Sequence, residues 1–257
     1  MSSVAERTPL AERLCRHPRA VVAGTIAALA ALAWSWTIAG AGLGNDRSMA
    51  EPAQVSVLGA VLVLLMWWVM MAAMMLPSAA PAILLYGRIR QQRGEATVIA
   101  PSWMFLGGYL LAWLAFAVLL ATVQIVATRT ALLNPMTMRA TSPLLAGAAL
   151  VAIGIYQLSP LKDACLVNCR SPANFLSRHW RPGSAGACRL GLMHGLYCVG
   201  CCWLLMGLLF VGGVMNFFWI AGLAACVALE KLSIRGSLIS KLIGGVLILW
   251  GLAPVVT

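Results

Sequence analysis

The sequence predicts an all-α fold, a polytopic bundle of transmembrane helices. Of the 257 residues, 61% are hydrophobic and only 10% are charged, whereas about 25% are charged in a typical soluble domain. Apolar stretches of about 20 residues, the length that crosses a bilayer, recur along the chain. Little sequence remains outside them, so we expect one helical membrane domain over residues 20–257, preceded by a basic tail over residues 1–19.

Seven stretches are apolar enough to be candidate spans, although the fourth and the sixth are short. In chain order they are Ala20–Ala39, Val55–Leu76, Ser102–Thr128, Pro143–Leu158, Leu190–Val211, Val214–Leu229 and Ser237–Val255.

Features at the ends of these stretches refine the assignment. The first stretch is longer than the ~7–15 apolar residues of a signal peptide, so we expect a retained anchor. Pro77 ends the second stretch and Pro81 follows, which predicts a kink or a break there. The link Leu161–Cys188 is long and basic, which is typical either of an interfacial segment or of an ordinary tether.

The distribution of the net charge of +11 indicates how the chain is oriented in the membrane. Basic residues precede the first span and then follow the second, fourth and sixth spans, which are alternate loops. The positive-inside rule therefore predicts a cytoplasmic N-terminus and an external C-terminus. The expected partner of these charges is the lipid bilayer, and no nucleic acid partner is predicted. Glu230 at the end of the sixth span is expected to pair with its neighbour Lys231 at the membrane interface.

The most informative motif lies in the fifth span, where residues 194–202 read HGLYCVGCC. On a helix that turns by about 100° per residue, His194, Cys198 and Cys201 lie within roughly 60° of one another, and Cys202 lies slightly to one side. Cys198 would lie near the middle of the membrane, where free thiolates are costly unless a cation neutralises them. This face predicts a soft-metal site or a redox pair.

Two further groups of sulfur side chains accompany this motif. Methionines are common gap fillers in apolar helices, but thioethers also select Cu(I) over harder ions. Cysteines at i and i+4 point the same way if they belong to one helix. We expect the methionines within the membrane and the cysteine pair at the cytoplasmic mouth. The candidate residues are Met70, Met71, Met74 and Met75 in the second span, and Cys165 and Cys169 after the fourth.

Several motifs together resemble a known family. They are WWVMMAAMMLPS at 67–78, YQLSPLK at 156–162 leading to Cys165 and Cys169, GLMHGLYCVGCCWLLM at 191–206, and Glu230-Lys231. These motifs are similar to those of a bacterial family of predicted metal-binding integral membrane proteins, classed as a domain of unknown function. The resemblance covers about residues 55–235 and implies a location in a bacterial inner membrane. It implies that Met70, Met71, Met74, Met75, His194, Cys198, Cys201 and Cys202 act together.

Three functions are compatible with these observations. The first is binding of a soft metal, Cu(I) or alternatively Zn²⁺, with transport or delivery to a metallochaperone or metalloenzyme partner. The second is a membrane thiol–disulfide protein that uses Cys198 and Cys201, which have Cys-x-x-Cys spacing. The third is a non-catalytic membrane assembly factor in which the sulfur side chains only pack. No catalytic residue is assigned.

Overall fold

The computed structural model describes residues 18–42, 57–95, 97–134 and 138–256, and nearly all of them are helical. Most of the predicted basic tail, residues 1–17, lies outside the described residues. Within those ranges the structure contains no strand, only an isolated bridge between Leu133 and Ala140. The prediction of an all-α fold is confirmed.

The helices in chain order are α1 (Pro18–Gly42), α2 (Val57–Gln92), α3 (Ile99–Arg129), α4 (Pro143–Gln157), α5 (Pro160–Arg170), α6 (Pro172–His179), α7 (Gly183–Gly207), α8 (Leu209–Gly212), α9 (Phe217–Leu232) and α10 (Gly236–Val256). Proline opens α4, α5 and α6, where its missing N–H costs nothing. The side chains of Ser142, Ser159 and Asn216 cap α4, α5 and α9.

The number of spans differs from the predicted seven. Among the described residues, five helical segments are long and apolar enough to cross a membrane: Pro18–Gly40, Val57–Gln92, Ile99–Arg129, Gly183–Gly212 and Gly236–Ala253. The bent pair α4 and α5 makes a sixth if it is counted as one span.

The fourth and sixth predicted spans account for the difference. α4 and α5 meet at an angle of 62°, because Pro160 has no N–H and holds Ser159 in an extended conformation with ψ 145°. α9 has 16 residues, since Asn216 caps it at Phe217. Such a helix is about 24 Å long, shorter than the hydrocarbon core of a typical bilayer.

The second predicted span is longer than expected. α2 continues without a break through Pro77 and Pro81 to Gln92, a length of 36 residues. The Ser78 hydroxyl donates a hydrogen bond of 2.9 Å to the Met75 carbonyl in the turn that contains Pro77. The predicted break is therefore absent, and the methionine row belongs to the middle of one continuous helix.

Glycines bring α3 and α7 into close contact. A Cβ atom on Gly191 would overlap the Phe105 backbone, and one on Gly195 would lie 2.6 Å from the Ala112 side chain. Because the two backbones approach this closely, side chains of α3 reach the face of α7 that carries the cysteines. Large apolar side chains cover the outer surface of the bundle, such as Leu62, Val123, Phe218 and Leu249, which is consistent with lipid contact.

Candidate metal centre

The face of α7 that the spacing predicts is buried inside the bundle. Cys198, Cys201 and Cys202 are each at most 2% exposed, and His194 is 3% exposed. The thiols of Cys201 and Cys202 donate hydrogen bonds of 3.1 Å and 2.9 Å to the Cys198 carbonyl. These bonds to the preceding turn keep both side chains beside Cys198.

Two other helices bring sulfur atoms to this face. α2 contributes Met75, whose side chain is fully buried. α5 contributes Cys169, whose Sγ lies 4.0 Å from Cys201 Sγ. The group formed by Met75, Cys169, Cys198, Cys201 and Cys202 is called the sulfur cluster below.

A lysine from α9 reaches into the sulfur cluster. Its ammonium Nζ, on Lys231, lies 2.8 Å from Cys198 Sγ, 3.7 Å from Met75 Sδ and 4.0 Å from Cys202 Sγ. The side chain is buried, with 6% of the residue exposed. Three sulfur atoms from two helices therefore surround one buried positive charge.

The prediction that Glu230 pairs with Lys231 is wrong. Glu230 Oε2 lies 2.7 Å from Lys162 Nζ, and Glu230 Oε1 accepts a 2.9 Å hydrogen bond from Gln157 Nε2. Lys162 also donates to the Gln157 side chain. Consecutive residues of a helix point about 100° apart, so Glu230 faces α4 and α5 while Lys231 faces the sulfur atoms.

Tyr109 of α3 also contacts the sulfur cluster, although it is not among the site residues predicted from the sequence. Its hydroxyl oxygen lies 3.0 Å from Cys198 Sγ and 3.3 Å from the Met75 carbonyl oxygen. Its ring centroid is 6.0 Å from that of His194. Only the close contact of α3 with α7 brings this hydroxyl there, and no motif around Tyr109 signals it.

His194 lies one turn before Cys198 on α7, among aromatic rings. Its ring centroid is 5.2 Å from that of Phe175 and 6.0 Å from that of Phe105. Its Nδ1 atom is buried and has no hydrogen-bond partner among the described residues. Buried nitrogens of this kind usually have a partner, so Nδ1 is a polar atom that a ligand could satisfy.

The remaining predicted residues are buried along α2 or packed against α7. Met70, Met71 and Met74 are buried along α2, at most 2% exposed. Cys165 packs against α7, where its Sγ would lie 2.9 Å from a Cβ on Gly200. α5 therefore turns both of its cysteines towards α7, and it places Cys169 beside Cys201 and not at a separate site.

The cluster is not a complete set of classical ligands. In the described ranges, no three His, Cys, Asp or Glu side chains are arranged around one point so that they could hold a metal ion. The cysteines that the structure describes are all free thiols. The nearest cation to these sulfur atoms is the Lys231 ammonium.

Comparison with known proteins adds one finding. A family model described as PpoB2, copper chaperone, matches residues 64–254, from the methionine row to α10. No curated protein and no solved structure gives a significant match. The match covers most of the chain, and the protein belongs to this copper chaperone family.

Proposed function

We propose that this member of the copper chaperone family binds Cu(I) inside the membrane at the sulfur cluster and delivers it to a metallochaperone or metalloenzyme partner. One observation carries the proposal. Sulfur side chains from α2, α5 and α7 meet in the core of the bundle, and those from α2 and α7 contact a buried cation. A site that stabilises the Lys231 ammonium has the electrostatic character that a monovalent metal ion needs.

The ligand types favour Cu(I) over harder ions. Thiolates and thioethers select Cu(I), whereas Mg²⁺ and Ca²⁺ require oxygen ligands. Glu230, the carboxylate next to Lys231 in the sequence, is held by Lys162 and Gln157. No described carboxylate contacts these sulfur atoms.

Zinc fits the cluster less well than copper. Structural Zn²⁺ sites use four tetrahedral Cys, His or carboxylate ligands, and even three such side chains do not converge in the part of the chain that the structure describes. Met75 is a thioether, which zinc rarely uses. His194 Nδ1, which is buried and has no hydrogen-bond partner among the described side chains and backbone, supplies a nitrogen to copper once the cluster closes around the metal.

The order of the ligands suggests a path for the metal. Met70, Met71 and Met74 line α2 in the turns that precede Met75. Met75 shares the Lys231 ammonium with Cys198, and Cys201 lies 4.0 Å from Cys169. We infer that copper moves from thioether to thiol ligands by short ligand exchanges within the inner membrane.

Metal analysis of the purified protein tests this function. The protein is loaded anaerobically with Cu(I) in detergent, and bound copper is measured by mass spectrometry after desalting. We expect about one copper per wild-type chain and a loss of it in a Cys198→Ser/Cys201→Ser variant, because these thiols are soft ligands.

The matched control is Cys226→Ser on α9, a half-buried cysteine outside the sulfur cluster. It must retain the copper of the wild-type protein. Equal and negligible copper in all three proteins would contradict the proposed function.

One observation favours a second candidate, a thiol–disulfide protein. Cys169 Sγ and Cys201 Sγ are 4.0 Å apart, so a small movement would allow a disulfide between α5 and α7. This pair is a redox candidate in addition to Cys198 and Cys201. Counting free thiols in the aerobically purified protein, with and without reductant, tests it, and a full count without reductant would leave it unsupported.

A further inference from the structure

Lys231 is a buried cation, and no carboxylate in the described part of the chain contacts its ammonium. Within the described residues, its ammonium contacts Cys198, Met75 and Cys202 and forms no salt bridge. The adjacent carboxylate, Glu230, is occupied by Lys162 on another side of α9. A buried charge normally requires such a partner, so this placement of Lys231 calls for a specific role.

We propose that the Lys231 ammonium occupies the copper position in the metal-free protein and competes with Cu(I) for the sulfur cluster. The inference rests on the proposed function, because it concerns the same site. The ammonium lies 2.8 Å from Cys198 Sγ, so a copper ion bound to that sulfur would lie close to the ammonium. Two cations this close repel strongly in a core of low dielectric constant, so copper binds only when the ammonium moves away.

The surrounding contacts indicate which part moves. Glu230 is held by Lys162 and Gln157, which fixes the rotation of α9. Arg170 donates a 3.1 Å hydrogen bond to the Ser233 carbonyl just after the helix. The flexible four-carbon side chain of Lys231 is therefore the mobile part, and the helix stays in place.

This competition suits a protein that must release its metal. Because copper must displace the ammonium before it binds, the apparent affinity of the cluster for copper is lower than it would be in an unoccupied cluster. When copper leaves, the ammonium returns and keeps the sulfur atoms apart from one another. Lys231 thereby makes delivery of copper to a partner easier without contributing a ligand.

Neutral substitutions of Lys231 test the proposal. Lys231→Gln and Lys231→Leu remove the charge and add no sulfur. We expect each to bind Cu(I) at least tenfold more tightly than the wild-type protein in competition with a coloured Cu(I) chelator. Transfer of copper from the loaded protein to that chelator should slow by a similar factor.

Two controls accompany these variants. Lys241→Gln makes the same change at an exposed lysine of α10 and should leave the affinity unchanged. Lys231→Arg keeps the charge and should bind copper no more tightly than the wild-type protein. Size-exclusion chromatography and circular dichroism identify the variants that fold, and the second neutral variant decides if the first does not fold.

The outcomes separate this proposal from the function on which it rests. If the wild-type protein binds copper and both neutral variants bind it with equal or lower affinity, the competition alone is overturned. An absence of copper in the wild-type protein and in both variants overturns both proposals. Copper that binds only to the neutral variants, or more tightly to them than to the wild-type protein, supports the competition.

Discussion

Two buried lysines in this helical bundle have opposite surroundings. Lys162 is fully buried, and its ammonium is neutralised by Glu230 and bound by Gln157. Lys231, on the same helix as Glu230, contacts only sulfur atoms among the described partners of its ammonium. The first arrangement is a complete ion pair that holds α5 to α9. The second is a cation among thiols and a thioether, which are side chains of the types that bind soft metals.

The comparison separates structural from functional charge inside the bundle. In an ion pair whose charges and hydrogen-bonding groups are all satisfied, no group is free to bind a ligand. A cluster of thiols and a thioether around a single ammonium can exchange that cation for another. The four predictions below break or sharpen this distinction, starting with the largest expected effect.

Removing the partner of Lys162 should have the largest effect on stability. Glu230→Ala should lower the free energy of unfolding by about 3–5 kcal/mol, because it leaves the Lys162 ammonium buried and unpaired. The measurement is denaturant or thermal unfolding of the metal-free protein in detergent.

A double variant is the control for this effect. Glu230→Leu/Lys162→Leu removes both charges and should recover most of the lost stability, as replacements of whole buried ion pairs often do. A double variant as unstable as Glu230→Ala would mean that the pair does not act as a unit.

Met75 is expected to matter for copper and not for stability. Met75→Leu preserves the side-chain volume and removes the thioether that lies 3.7 Å from Lys231 Nζ. Loss of this ligand should weaken Cu(I) binding about 30-fold, which corresponds to about 2 kcal/mol.

Met66→Leu, on the same helix but outside the sulfur cluster, is the matched control in the same chelator competition. It should retain the wild-type affinity. An equal loss of affinity in both variants would show that the methionines act through packing alone.

The Tyr109 hydroxyl should have a smaller effect on the same site. Tyr109→Phe removes an oxygen 3.0 Å from Cys198 Sγ and should weaken Cu(I) binding about fivefold, close to the net value of one hydrogen bond. Tyr197→Phe is the control, since its ring packs against Phe175. An unchanged affinity in Tyr109→Phe would remove this hydroxyl from the site.

The smallest expected effect is that of replacing Lys231 on the stability of the metal-free protein. Lys231→Gln removes both the hydrogen bond to Cys198 and the cost of a buried charge without a carboxylate, and these two effects oppose each other. The free energy of unfolding of the metal-free protein should change by no more than about 0.5 kcal/mol. A loss as large as that of Glu230→Ala would mean that both lysines are structural.

Much of the fold and part of the site follow from spacing along single helices. The composition predicts a helical membrane bundle, and the i, i+4 and i+7 positions of His194, Cys198 and Cys201 predict the buried face of α7. Such patterns concern one helix at a time. They placed Cys165 and Cys169 on one face of a helix, but they did not show that α5 turns this face towards Cys201.

The rest of the site depends on how helices rotate against one another. Lys231 and Tyr109 join the sulfur cluster because the backbones of α3 and α7 touch at Gly191 and because the Glu230 contacts fix α9. The prediction that Lys231 pairs with Glu230 rested on their being adjacent in the sequence. Adjacent residues of a helix do not face each other, so this prediction was wrong. The bend after Gln157 could have been inferred from Ser159-Pro160, which disfavours a continuous helix.

The most direct test of the central claim is X-ray absorption at the copper edge of the loaded wild-type protein, with Cys198→Ser/Cys201→Ser and Cys226→Ser measured alongside it. We predict Cu(I) with a first shell dominated by sulfur in the wild-type and Cys226→Ser proteins, and loss of that spectrum in the double variant. A first shell dominated by oxygen or nitrogen, or a sulfur shell that survives in the double variant, would contradict copper binding at the sulfur cluster.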